Sequence, residues 1–265
     1  MTRLLTYNVH RCLGVDGILS PERIVEVIAS CAPDIVALQE LDVGRERTGG
    51  IDQALVIADL LGMDRHFHAA LRVMEEQYGD AILTGLPSRL VKAGPLPGLV
   101  QRPLIEPRGA LWAEVQVEER QVQVINAHLG LLGAERVAQA RALLGPDWLG
   151  RPDCRRPVIL TGDFNAPPFT SAYRKIRRQL TAVQDVLSGC RRRATFPSRF
   201  PVLALDHVFF DGPIEILDVA IIRTPLAKLA SDHLPLVVDF EVTREPLPQA
   251  QEEHEPAGAI AALRG

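Results

Sequence analysis

The chain lacks several features that would assign a function class at once. It has only four cysteines, Cys12, Cys31, Cys154 and Cys190, and no C-x-x-C spacing. That argues against a zinc site or a dense disulfide framework and leaves reduced thiols as the expectation. No apolar run is long enough to span a bilayer, so no stable membrane insertion is expected. No cleavable leader is read either, because Arg3 to Val9 already has the look of a strand. The expected location is therefore cytoplasmic. Positive charge is not in excess: the formal net charge is −4. No bulk cationic field draws the chain to nucleic acid or to membranes, so an anionic substrate must be met by local arginines or by a metal. No repeat of fixed period is visible, and no protein partner can be inferred.

Apolar residues are plentiful, at 47% of 265 positions, enough for a substantial core. The most informative stretch is Thr161-Gly162-Asp163-Phe164-Asn165-Ala166-Pro167. The branched run Pro157-Val158-Ile159-Leu160 before it reads as a buried strand. Alternation on an extended chain places Asp163 and Asn165 on one side. A carboxylate and a carboxamide thus arrive together at a sheet edge, able to hold a hard metal or orient a water. Taken alone, the same residues also read as an Asx-type turn closing a strand.

From the amino terminus, a strand over Arg3 to Val9 leads into a loop, His10 to Leu19. Ser20-Pro21-Glu22 starts a helix, with serine at the N-cap and proline in the first turn. A second buried strand, Asp34 to Leu38, delivers Gln39-Glu40 at its end, and a helix over Ile51 to Leu61 follows. This alternation indicates α/β packing. Short strands are expected over 66–71, 81–84, 89–92, 111–117 and 121–127, the last two joined by a hairpin at Glu118-Glu119-Arg120. Pro95, Pro97, Pro103 and Pro107 mark a long irregular loop. Helices are expected over 134–144 and 169–180, and strands over 205–210, 214–222 and 236–242. Residues 1–242 read as one catalytic domain, and 243–265 as a loosely attached tail rich in Pro, Gln, Glu and Ala.

Several expected strands end on polar residues that a core does not favour. These are Asn8, Glu40, His128, Asp163, Asn165, Asp206, and the pair Asp232-His233. Each alone is explained by a cap or a turn. Together they mark the strand ends where α/β proteins gather ligand sites. Glu40 with Asn8 and one or two aspartates makes an oxygen-rich site for Mg²⁺ or Mn²⁺. A histidine beside an aspartate suits acid–base work, because the carboxylate fixes its tautomer. A hard ion, a water-orienting aspartate and one or two histidines suit phosphoester hydrolysis.

The segments Tyr7-Asn8-Val9, Asp34 to Glu40, Gly162 to Asn165, Leu205-Asp206-His207-Val208 and Ser231 to Pro235 resemble, in order, the signatures of the endonuclease/exonuclease/phosphatase family, the DNase I-like superfamily. The resemblance spans Arg3 to about Val242. It implies a four-layer α/β/β/α sandwich of two mixed sheets flanked by helices. It implies Glu40 as main metal ligand, with Asn8 beside it and Asp232 at the metal or its water shell. Asp163 would orient or activate the water, and Asn165 would hold a phosphate oxygen or the nucleophile. His233 would pair with Asp206, and His128 would stabilise the phosphoryl group or act as acid. Arg108 resembles a strand-start arginine of some members and is expected at the substrate. His10 departs from the acidic residue common in DNA-repair members, the spacer before Leu205 is short, and no long DNA-gripping insertion is visible.

Other residues divide between roles. Arg191, Arg192 and Arg193 precede Thr195-Phe196, a region near the substrate in the relatives, and read either as substrate contacts or as a solvated loop. The basic run Arg174 to Arg178 reads as a solvated helix face. His66 and His68 read as structural or surface residues. Asp80 reads equally as a support for His128 or as a turn residue. The expectation is a metal-dependent phosphodiesterase acting on a small molecule, a lipid head group or nucleic acid. The rivals are a nuclease, a phosphomonoesterase, or a binding module that kept only the fold.

Overall fold

The computed structural model describes residues 1–99, 106–186 and 194–243. In chain order its strands are β1 Thr2–Asn8, β2 Ile35–Val43, β3 Asp64–Val73, β4 Glu76–Thr84, β5 Ser88–Pro95, β6 Gly109–Val117, β7 Arg120–His128, β8 Val158–Asp163, β9 Thr181–Ala182, β10 Asp206–Asp211, β11 Ile214–Ile221 and β12 Leu236–Val242. The helices are α1 Pro21–Ala29, α2 Gln53–Leu61, α3 Gly133–Leu144, α4 Ser171–Arg177 and α5 Pro225–Ala230.

The strands form two six-stranded sheets, ordered β11-β12-β1-β2-β4-β3 and β5-β6-β7-β8-β10-β9. Each has a parallel pair near its middle, β1 with β2 and β7 with β8, among antiparallel neighbours. The mixed four-layer sandwich expected from the resemblance is the observed architecture. One core cluster joins apolar residues of the first sheet and of α1, α2 and α5 to the facing side of the second sheet. Another lies under α3 and α4, around Trp112, Tyr173 and Phe209. The central strand β1 is covered on both faces, so it is buried along nearly its whole length without an in–out alternation. A buried polar bridge ties the sheets together: Gln39 Nε2 donates to Asn126 Oδ1 at 2.8 Å, and Asn126 Nδ2 donates to the carbonyls of Leu38 and Ala81.

Several elements differ from their expected extent. β2 continues past Glu40 to Val43, because Leu41 to Val43 pair with Gln77 to Gly79 beyond a bulge. Glu40 therefore sits at the bulge and not at a strand end. β4 begins at Glu76, five residues before the apolar run that announced it. β5 extends to Pro95, taking in the first residue of the expected loop. The second half of the expected helix 169–180 shortens to end at Arg177. Helix α5 was not anticipated, although Thr224 caps it by accepting from Ala227 N, and Pro225 opens its first turn. Apart from Thr243, the expected tail lies outside the described residues, as do Arg191, Arg192 and Arg193. No described helix is long and apolar enough to cross a membrane.

Candidate active site

Topology gathers the polar strand ends at one edge of the sandwich. The carboxyl ends of the parallel pairs bring Asn8, His128 and Asp163 to that edge. The amino ends of the antiparallel strands β10 and β12 bring Asp206 and the preceding His233 to it. Alternation decides which way each points. On β7, Val122 and Val124 face the inter-sheet core, while Ile125 and Ala127 face the helices. His128 keeps the parity of Val124 and so points between the sheets. Asp163 shares that parity with Ile159, and Asp206 with Val208. His207 has the opposite parity: its Nε2 donates to the Ala166 carbonyl at 2.9 Å, and its ring packs on Tyr173, 4.7 Å between ring centroids. The aspartate of that motif is at the site, and its histidine is in the core.

Asp163 is the hub. Its Oδ1 accepts from Asn165 N at 2.8 Å, which is the Asx-type turn. Its Oδ2 accepts from Asn8 Nδ2 at 2.9 Å. The same Oδ2 lies 3.5 Å from His128 Nε2 and 3.7 Å from His233 Nε2. The two readings of this motif are thus both present, one on each carboxylate oxygen. Gly162 makes the arrangement possible. Its φ is +133°, and a Cβ there would lie 2.0 Å from the Ala127 carbonyl oxygen on β7. Asn165 itself has φ +47°, and its Nδ2 lies 3.2 Å from His128 Nε2 and 3.0 Å from the Leu129 carbonyl.

The two histidines are held in different charge states. His233 Nδ1 meets Asp206 Oδ2 at 2.8 Å, and both side chains are buried. Burial pulls the imidazole down, but Asp206 and Asp163 outweigh it and push the pKa up to about 10. The ring is an imidazolium near neutral pH, with Phe196 packed against it at 4.9 Å. His128 is pushed well below the ordinary range, first by burial and then by Arg108 and His233. Arg108 Nη1 lies 3.3 Å from His128 Nδ1 and can only donate. The neutral ring therefore accepts at Nδ1 and carries its proton on Nε2, which faces Asp163; Asn165 Nδ2 then donates to the Leu129 carbonyl, and its approach to Nε2 is a contact and not a hydrogen bond. Burial raises Asp163 itself to about 7 in this crowded setting, against the lowering influence of His233.

Glu40 turns towards the same space because the β2 bulge puts it at φ +63°. Its Oε1 accepts from Asn8 Nδ2 at 2.9 Å and lies 4.0 Å from His128 Nε2. Asn8 Oδ1 accepts from His10 N at 3.0 Å, leaving the amide nitrogen towards the carboxylates. Two sets of described residues place ligand atoms close enough for one ion: Glu40, His128 and Asp163, and Asp163, Asp206 and His233. Asp232 is not in either set, but it lines the same cavity, 4.0 Å from His10 Nδ1. Hard oxygen donors dominate at Glu40, Asp163 and Asp232, which fits Mg²⁺ or Mn²⁺ better than zinc.

The cavity measures about 400 Å³. Arg108 lines it, but its Nη1 is engaged by Glu106 Oε1 at 2.6 Å as well as by His128. Its neighbours place it behind His128. Asp80 is buried on β4, where burial raises its carboxyl to about 8 against the lowering effect of Arg108. It is a strand residue, not a turn residue. His66 meets Ser88 Oγ at 2.9 Å and belongs to neither ligand set, nor does His68.

The profile of the endonuclease/exonuclease/phosphatase family matches residues 5–233. The chain belongs to this family. An Escherichia coli K12 relative, the uncharacterized protein YbhP, is 25% identical and covers 91% of this chain and 96% of its own length. An endonuclease/exonuclease/phosphatase from Beutenbergia cavernae superposes with TM-score 0.73 at 22% identity, covering 91% of this chain and 71% of that one. The human nocturnin catalytic domain, solved with bound sulfate, gives 0.70 at 24% identity, covering 91% and 94%. These two share the fold. Family members are hydrolases acting on phosphoester bonds.

Sequence reasoning missed Arg11. It lines the cavity and has no ion pair to a carboxylate among the described residues, whereas Arg47 is held by Asp42 at 2.7 Å. His10, Arg11 and Cys12 have φ of 45°, 58° and 58°. Left-handed backbone costs non-glycine residues on the order of 1–2 kcal/mol each. Such strain persists only where the surroundings enforce it, here through Gln53 Nε2 donating to the Arg11 carbonyl at 2.6 Å. The only cue in the sequence was a polar loop directly after Asn8.

Proposed function

We propose that the chain is a divalent-metal-dependent phosphoester hydrolase, and a phosphodiesterase in preference to a monoesterase. The observation that carries this reading is the shared target of three groups. Asn8 holds Asp163 Oδ2, and the imidazolium of His233 and the neutral Nε2–H of His128 converge on the same oxygen. The 3.5–3.7 Å gaps leave the imidazoles free to turn to a phosphoryl oxygen placed between them. Asp163 takes the proton of the attacking water, and Asn8 and the Asn165 backbone N–H hold the carboxylate for it. His233 stabilises the charge that develops on the non-bridging oxygens. His128, kept neutral and in one tautomer beside Arg108, donates a hydrogen bond to the leaving oxygen. Glu40 and Asp232 would hold Mg²⁺ or Mn²⁺, with Asn8, whose amide nitrogen faces the carboxylates, orienting Glu40; the ion would supply charge neutralisation at the phosphoryl and leaving oxygens.

A cavity open to solvent and lined by one guanidinium, Arg11, that meets His10 Nε2 at 3.0 Å but no carboxylate among the described residues suits a singly charged diester. Arg11 is the residue for the second non-bridging oxygen. Changing Arg11 to alanine is expected to lower kcat/KM for an anionic ester about tenfold or more, the size of a charged hydrogen bond, with lysine restoring part of the loss and metal affinity unchanged. Unchanged kcat/KM would leave Arg11 as a backbone element only.

The test of the reading is a panel with Mg²⁺ or Mn²⁺: single-stranded DNA, duplex DNA, RNA, a phospholipid, an aryl phosphate and an aryl phosphodiester. Turnover of diesters above monoesters is expected. Inactivity on all of them with either ion would overturn the reading and favour the binding-module alternative.

A further inference from the structure

Helices α3 and α4 carry a feature that the catalytic edge does not use. Arg141, Arg174, Lys175 and Arg178 line two adjoining depressions of about 590 and 410 Å³, which share Val137, Arg141, Ser171 and Arg174. No ion pair or side-chain hydrogen bond engages these four cations among the described residues. Of the carboxylates near in sequence, Glu135 is buried, Asp185 pairs with Arg177 at 2.6 Å, and Asp147, past the end of α3, lines neither depression. A chain of net charge −4 thus holds one groove with four free cations and no exposed acid on either helix.

A solvated helix face explains charge on one helix. It does not explain a concave groove lined with cations from two. Arg174 and Arg178 are one turn apart, about 6 Å along the same face, with Arg141 facing them from α3. Phe169 lines the same groove with its side chain 70% exposed. It follows Asn165 by four residues, and α3 begins five residues after His128. At roughly 3.5 Å per residue the groove opens within about 20 Å of the catalytic edge.

We propose that the α3–α4 groove is a docking site for the sugar–phosphate backbone of single-stranded nucleic acid, with Phe169 as a stacking platform for a base. Cationic grooves that track a backbone, with an exposed aromatic beside them, are how single strands are held without sequence preference. An exposed aromatic favours a single strand, whose bases are free to stack on it, over a duplex, whose bases are already stacked on one another. A bilayer surface would meet protruding side chains, not the floor of a groove. The direction of the strand towards the cavity rests on the hydrolase reading, whereas the binding itself does not.

The experiment is fluorescence anisotropy with a labelled mixed-sequence oligonucleotide of about 16 nucleotides, matching the larger single-strand site sizes, in chelator so that nothing is cleaved. The expected result is salt-dependent binding by the full chain. The triple variant Arg141→Glu, Arg174→Glu, Arg178→Glu should bind at least tenfold more weakly, its salt slope reduced by about two, since each phosphate contact contributes about 0.7. Phe169→Ala should weaken binding about fivefold or more with the slope unchanged. All three side chains of the triple variant are exposed, so thermal unfolding should be close to that of the parent. Turnover of an aryl phosphodiester should be unaffected in both variants. Equal affinity of parent and triple variant would overturn the proposal. So would failure to bind the oligonucleotide while anionic phosphatidylglycerol vesicles are bound through the same arginines. Inactivity of the parent on every phosphoester would fail the hydrolase reading alone, because the anisotropy assay needs no turnover.

Discussion

Replacing Glu40 by alanine is expected to cut phosphoester turnover by several orders of magnitude while the fold survives. Glu40 is a partly exposed carboxylate that lines the cavity, and the β2 bulge turns it there. Charge stabilisation by a bound hard ion is worth several kcal/mol at the transition state, and each 1.36 kcal/mol is a factor of ten in rate. The side chain is only partly buried and makes a single hydrogen bond, from Asn8, so its loss removes little packing. Glutamine keeps the shape and one oxygen donor and should recover a small part of the activity. Chelation of the parent should reproduce the alanine phenotype, and added Mn²⁺ should reverse chelation but not the substitution. Calorimetric titration with Mn²⁺ gives a readout independent of turnover: heat of binding in the parent and a weakened isotherm in the variant. Full activity in excess chelator, with no metal carried through, would sink the assignment.

The catalytic edge was legible because each of its residues interrupts or ends an apolar run. Asn8, His128, Asp163 and Asp206 cost the core something, and a site at the strand ends explains the cost. Parity then carried them to the inter-sheet side without any further signal. Glu40 was found for the same reason but misplaced. A bulge depends on the partner strand, and nothing in Gln39-Glu40-Leu41 says that β4 will pair on both sides of it. Arg108 was expected as a substrate contact and lines the cavity; that one of its nitrogens, Nη1, also meets Glu106 and His128 is a relation that exists only after β6 and β7 pair. Arg11 had no periodic context at all, since its position rests on three consecutive left-handed residues. The run Arg174 to Arg178 was read as one helix face. Its second wall, Arg141 on α3, is more than thirty residues away in sequence and meets it only through helix packing.

Removing His233 is expected to lower turnover on the order of a hundredfold or more, with metal binding largely kept. Asp206→Asn should cost less, because the ring stays in place but loses its charge partner. The two effects should be non-additive, since one residue works through the other at 2.8 Å. Stability should couple as well. His233→Ala strands a buried Asp206 carboxylate, whose Oδ1 already has no partner, so that variant should be the least stable of the set. Adding Asp206→Asn removes the stranded charge and should recover stability while leaving turnover low. The pH dependence follows from the raised pKa. A folded-state value of about 10 lies above the ordinary histidine value of about 6.5, so the pair's stabilisation is complete below pH 6.5 and fades as pH rises through about 10. An NMR titration of the imidazole should show His233 protonated throughout the neutral range. In Asp206→Asn, burial acts with less opposition, and the titration should move down towards neutral pH. Strictly additive losses in the double-mutant cycle would break the pairing. Near-normal turnover in His233→Ala would take the imidazolium out of the mechanism altogether.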